Sequence, residues 1–213
     1  MALELRNVSK VVNGQTHIHP TNLTLNKGTM NVLLGPTLSG KTSLMRLMAG
    51  LDKPTEGQVF WNGEDVTGMR VQDRKVAMVY QQFINYPTLT VYENIASPLR
   101  VAGMAESEIK GRVEEAASLL QLTPMLKRRP QELSGGQQQR VAVARAIVSN
   151  PALVLADEPT ANLDSHTSAD LMTLFTELNE HHNTTFIIAT HDQRVMRYAK
   201  RLVRMLDGRI VED

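Results

Sequence analysis

The residues Gly35-Pro36-Thr37-Leu38-Ser39-Gly40-Lys41-Thr42 satisfy the pattern Gly, four residues, Gly-Lys and then Ser or Thr. Glycines let backbone N–H groups close around a phosphate, and a helix that follows adds the positive end of its dipole. Lys41 can then reach the β- and γ-phosphates of a nucleotide, and the Thr42 hydroxyl can ligate Mg²⁺. Such a loop needs a second carboxylate on a neighbouring strand to hold the metal. Asp157 supplies one at the end of Leu153-Val154-Leu155-Ala156. Glu158 follows directly, where a carboxylate can orient or deprotonate an attacking water. A third pattern, Leu133-Ser134-Gly135-Gly136-Gln137, puts a serine and two glycines just before a helical stretch, a second phosphate-binding nest. One nucleotide does not need two such nests from one chain.

The flanking patterns place these residues at the ends of elements. Met30-Asn31-Val32-Leu33-Leu34 is a short apolar run of buried-strand type, and it ends in the glycine-rich loop. Leu44, Leu47 and Met48 then mark one helical face, with Gly50 as its stop. Leu153 to Ala156 and Phe186-Ile187-Ile188-Ala189 are two further buried-strand runs, ending in Asp157-Glu158 and in Thr190-His191-Asp192. Short strands are expected at 58–61 and 76–80, and a terminal hairpin around Asp207-Gly208. From about Val91 to Leu122 the texture is helical, with Ile109, Val113, Ala116 and Leu120 on one face. Helices are also expected from Gly136 to Ser149, where Pro151 ends the run, and from Ala169 to His181. The chain therefore reads as one α/β domain. Its core, about 1–84 and 151–213, has a mainly parallel sheet and an N-terminal antiparallel β part, and about 85–150 form a helical insert.

Composition narrows the function classes. The chain has 213 residues, 42% of them hydrophobic, and a net charge of +1 from 23 basic and 22 acidic side chains. That excludes a disordered, collagenous or coiled-coil chain. It gives no global field for nucleic acid or an anionic membrane, so no nucleic-acid partner is expected. With no Cys, a disulfide framework or thiolate metal site is excluded. Glu4 and Arg6 stand where a signal peptide needs an apolar core, and no stretch approaches the roughly 20 apolar residues of a membrane span. A membrane process would need its membrane part from another chain.

The Leu133–Gln137 pattern, after the phosphate loop and before Asp157-Glu158, resembles the signature motif of the ATP-binding-cassette family. The resemblance spans nearly the whole chain. Gln81 matches the family's Q-loop glutamine, Ala161-Asn162-Leu163-Asp164 its D-loop, and His191 its switch histidine. It implies a P-loop NTPase fold and hydrolysis of ATP with Mg²⁺, the cation managed by Thr42, Asp157 and Gln81. It also implies phosphate binding by Gly35 to Ser43, with Lys41 central, a general base at Glu158, and transition-state stabilisation by His191. Ser134, Gly135, Gly136 and Gln137 would complete the site of a second cassette packed head to tail, with Asp164 crossing the interface. The implied partners are a second copy or a homologous ATPase subunit, and transmembrane permease subunits. The implied location is cytoplasmic, peripheral on the inner face of the membrane. A soluble cassette ATPase or a non-hydrolysing nucleotide-binding module are the alternatives.

Two features depart from the family pattern. Members usually stack an aromatic side chain on adenine, but the corresponding residue here is Val12, beside Val11, and no Phe, Tyr or Trp precedes Phe60. His17 or His19 would have to substitute. The stretches Gly35 to Gly50 and Val79 to Pro87 resemble carbohydrate-importer ATPases, which usually carry a further C-terminal regulatory domain. Glu132 onward resembles lipoprotein-releasing and macrolide-exporter ATPases. The expectation is a mosaic joined between about residues 104 and 130.

Overall fold

The computed structural model describes residues 3–82 and 84–213; Met1, Ala2 and Phe83, the last within the importer-like stretch after Gln81, lie outside the described residues. The chain forms two compact units. One comprises residues 1–78, 152–158 and 175–213, the other residues 79–151 and 159–174.

The first unit contains two sheets. Strands β1 (Leu3–Val12) and β2 (Gln15–Leu25) form a hairpin, and β1 also pairs antiparallel with β4 (Glu56–Trp61), whose other neighbour is β5 (Glu64–Asp65). The larger sheet is built on β3 (Met30–Leu34), β6 (Val76–Val79), β7 (Leu153–Asp157), β8 (Thr185–Thr190), β9 (Arg201–Leu206) and β10 (Arg209–Glu212). Its order is β10-β9-β3-β8-β7-β6. Strand β3 runs parallel to β8 and β9, and β7 parallel to β8, while β10 returns antiparallel against β9. Every residue of β7 and β8 is buried, which explains their unbroken apolar runs: a parallel strand is covered on both faces. Helix α1 (Lys41–Ala49) follows β3 and ends at Gly50, which takes φ 78° and donates its N–H to the Arg46 and Leu47 carbonyls. Leu44, Leu47 and Met48 pack into a core shared with Leu33, Leu153, Leu155 and Ile187. The parallel register carries Leu34, Asp157 and Thr190 to the same end of the sheet.

The second unit is helical. It holds α2 (Val91–Val101), α3 (Glu106–Leu119), α4 (Gly135–Ile147) and the first part of α5 (Ser165–His182). Thr90 and Glu93 form a reciprocal cap at the start of α2. Pro98 lies inside α2 and has no N–H for the Asn94 carbonyl; the Ser97 hydroxyl donates to that carbonyl instead, at 2.8 Å. The buried Asn94 side chain accepts from the Tyr86 N–H and donates to the Tyr86, Leu89 and Thr90 carbonyls, fixing the loop before the helix. The expected insert of 85–150 falls within this unit, which also takes in 159–174.

Candidate nucleotide site

The glycine-rich segment leaves β3 at Leu34, and the Gly35 N–H donates to the Thr190 carbonyl at 3.3 Å. Leu38 adopts φ 68° and is 95% exposed. Gly40 precedes α1 with φ 98° and supplies no side-chain cap. A Cβ there would lie 2.9 Å from Ile18 Cδ1 and 3.2 Å from the His17 carbonyl oxygen, so both backbone and space demand glycine. The first N–H groups of α1 have no intrahelical acceptor, which makes this uncapped end suited to an anion.

The reactive side chains converge here. Lys41 is only 6% exposed, and its ammonium donates to the Gly35 and Pro36 carbonyls at 2.7 and 2.9 Å. Burial pushes its pKa down, opposed by the charges of Glu158 and Asp157. The Thr42 hydroxyl donates to Asp157 Oδ2 at 2.8 Å. Asp157 is 8% exposed, and burial raises its pKa, against the Thr42 hydrogen bond. Glu158 lies 3.8 Å from the Lys41 ammonium, Thr190 donates to its Oε2 at 3.1 Å, and its Oε1 is 2.9 Å from His191 Nδ1. Because a carboxylate oxygen accepts, His191 Nδ1 carries the proton in that contact. Thr190 is fully buried at the end of β8 and is not among the expected site residues. Its signal was a hydroxyl closing an apolar run directly before His191.

Asp157 Oδ1 is buried and has no hydrogen-bond partner among the described residues. An orphaned carboxylate oxygen beside a threonine hydroxyl is a hard-oxygen pair, the donor set that suits Mg²⁺. No group of three or more His, Cys, Asp or Glu side chains that could hold a metal occurs among the described residues, so such a cation would complete its shell from phosphate and water.

A cavity of about 630 Å³ opens beside the loop. It is lined by Thr37, Leu38 and Gly40 to Ser43, by Thr16, His17 and His19 of β2, and by Asp207-Gly208. Val11 and Val12 are not among its lining residues, whereas both histidines are.

The remaining expected site residues belong to the second unit. Gln81 is exposed, and its carbonyl accepts from the Asn162 side chain at 3.0 Å. Ser134 caps α4 with Gln137: the Gln137 N–H donates to Ser134 Oγ, and the Ser134 N–H to Gln137 Oε1. Gly135 and Gly136 are the first turn of that helix, which begins one residue earlier than the expected Gly136. The Asp164 carboxylate accepts from the His166 and Thr167 N–H groups and from the Thr167 hydroxyl, whose hydrogen bond is the main reason its pKa is lowered.

Comparison with known proteins gives consistent relatives. A family profile described as ABC transporter matches residues 18–161. The sn-glycerol-3-phosphate import ATP-binding protein UgpC of Pectobacterium atrosepticum is 41% identical over 208 residues, 97% of this chain and 58% of that protein. The Fe(3+) ions import ATP-binding protein FbpC of Escherichia coli O157:H7 is 44% identical over 191 residues, 90% of this chain and 55% of that protein. The chain thus spans between half and two thirds of these curated relatives. Among solved structures, the dimeric post-hydrolysis state of the ATP-binding cassette MJ0796, bound to ADP and Pi, superposes with a TM-score of 0.89. It is 34% identical, with 99% of this chain and 97% of that one covered.

Proposed function

The chain belongs to the ABC transporter family, and from that premise we propose that it is the ATP-binding and ATP-hydrolysing subunit that powers an importer. The observation that carries the proposal is the convergence of Lys41, Thr42, Asp157, Glu158 and His191 around an uncapped α1, with an orphaned Asp157 oxygen in their midst. Backbone N–H groups of residues 35–43 and the Lys41 ammonium hold the phosphates. Thr42 and Asp157 would hold Mg²⁺. The bound ion would offset charge on the β- and γ-phosphates. Glu158, oriented by Thr190 and His191, takes the proton of the attacking water. His191 stabilises the transferring phosphoryl group.

Two such chains, or this chain and a homologous subunit, pack head to tail. Ser134, Gly135, Gly136 and Gln137 then present the start of α4 to the partner's γ-phosphate, and Asp164 lies at the crossing. Nucleotide shifts the pair towards the closed state and hydrolysis releases it. No helix among the described residues is long and apolar enough to cross a membrane. On this reading permease subunits form the channel and the cassette is peripheral on the inner face of the membrane. The importing direction follows the relatives, which are named import ATP-binding proteins for glycerol 3-phosphate and for ferric ions. The match to UgpC runs over 208 of the 213 residues.

Phosphate release by the purified chain in ATP and Mg²⁺ tests the proposal. Binding of ATP without release would reduce the chain to a nucleotide-binding module. Recovery of permease subunits with the tagged chain from detergent-solubilised membranes separates a transporter subunit from a soluble ATPase.

A further inference from the structure

The Asp207-Gly208 turn between β9 and β10 is remote in sequence from the phosphate loop, yet its backbone is bonded into it. The Gly208 N–H donates to the Ser39 carbonyl at 2.9 Å, and the Gly208 carbonyl accepts from the His19 N–H at 2.9 Å. One residue therefore joins the loop to β2. Ser39 itself is 2% exposed, and its hydroxyl has no partner among the described residues. Its own N–H reaches back to the Pro36 carbonyl at 3.2 Å, so backbone bonds hold it on both sides.

The space around these bonds is as restrictive as the bonds. Gly208 is buried at φ 71°, and a Cβ on it would collide with the His17 carbonyl oxygen. A Cβ on Gly40 would lie 3.3 Å from Gly208 Cα. At the start of the loop, a Cβ on Gly35 would collide with the Met205 carbonyl oxygen. The terminal hairpin thus abuts the loop, backbone against backbone, at both of its glycine ends.

We propose that Gly208 is a positioning residue for the phosphate loop, fixing Ser39 through its N–H and holding β2, with His17 and His19, at a set distance through its carbonyl. The inference rests on the reading of residues 35–42 as the phosphate site. Its physical content is preorganisation: N–H groups aimed before the ligand arrives lose less freedom on binding.

Hydrogen exchange on the unmodified protein, with and without ATP and Mg²⁺, tests both levels. Nucleotide should slow exchange at residues 40–44 and, together with them, at the Gly208 and His19 amides. Protection of 40–44 with Gly208 and His19 unchanged overturns the brace and leaves the nucleotide site standing. No protection anywhere overturns the nucleotide site, and the brace with it. In addition, Gly208→Ala, confirmed folded by circular dichroism, should bind ATP about tenfold more weakly, the effect of losing roughly one net hydrogen bond. Arg209→Ala, at the exposed start of β10, should bind as the parent does. A purely structural role would lower the melting temperature of Gly208→Ala and leave the folded protein's affinity within about twofold, which overturns the proposal. If Gly208→Ala does not fold, the exchange experiment decides.

Discussion

Glu158 has φ 46°, in the left-handed region that costs a non-glycine residue of order 1–3 kcal/mol. Three contacts hold it there: its N–H donates to the Ala189 carbonyl at 2.8 Å, Thr190 donates to Oε2, and His191 to Oε1. The strained backbone aims the carboxylate. Glu158→Gln keeps the shape but loses the proton acceptor, and its amide NH₂ must face one of two donors. Hydrolysis should fall by at least about 100-fold while ATP binding persists. Parallel phosphate-release and binding assays check this, and an unchanged rate would remove Glu158 from the mechanism. Asp157 gives a different prediction because burial raises its pKa. A carboxyl with a higher pKa folded than unfolded contributes stability that is full below the unfolded value and is lost as pH rises through the folded one. Ionising this buried carboxyl therefore costs the ligand-free protein stability. Asp157→Asn should raise the ligand-free melting temperature at pH 7 and flatten the loss of stability as pH rises. It should also abolish stabilisation by ATP and Mg²⁺. A melting temperature below the parent's at pH 7 would contradict this account.

Elements β3, β7 and β8 were legible because parallel strands buried on both faces leave continuous apolar runs, and each run stopped at a chemical residue: Gly35, Asp157 or Thr190. Helix α1 was legible from its apolar face and Gly50. What the pattern could not show was adjacency. That β8 lies between β3 and β7, letting Thr190 and His191 reach Glu158, is set by hydrogen bonds between segments remote in sequence. The same applies to Asp207-Gly208 and to β2, which bring His17 and His19 to the cavity. The Asp164 carboxylate was read through the family motif, while its local hydrogen bonds are those of a cap on α5. The cavity wall has a consequence for selectivity. No Phe, Tyr or Trp is among the described residues lining it, so the expected affinity comes mainly from phosphates that ATP and GTP share. Base–aromatic stacking is worth roughly 1–3 kcal/mol per base in nucleic-acid systems. GTP should therefore compete with labelled ATP at concentrations within about 100-fold of ATP itself. A larger preference for ATP would reveal a strong base contact, and His17→Ala and His19→Ala would then locate it.

At the scale of the whole molecule, the decisive question is whether one chain contains a complete site. The MJ0796 cassette, 34% identical to this chain, is dimeric in the state that holds ADP and Pi. In the present chain the start of α4 is a glycine turn capped by Ser134 and Gln137, with no acidic residue in its first turn. On the shared-site reading this helix start serves the partner's nucleotide through the N–H groups that the cap does not take. Lys41→Ala should disable the site on its own chain, because phosphate charge loses its buried cation. Gly136→Asp should disable the partner's site, because a carboxylate would face its γ-phosphate. A Cβ at Gly136 would lie 2.6 Å from Thr167 Cγ2, so this variant must first be shown to bind ATP through its own loop. Each variant alone forms dimers in which both sites are dead. In the mixed dimer, one site collects both lesions and the other collects neither. Random equimolar mixing makes about half of the dimers mixed, so about a quarter of all sites are intact. If one intact site turns over, mixing two inactive preparations should restore ATPase activity approaching that fraction of the parent's. A site contained within one chain predicts a different result, because no exchange of subunits can then reunite Lys41 with an intact Gly136. No recovery in confirmed mixed dimers would mean that the site is complete within one chain, or that neither site fires without the other.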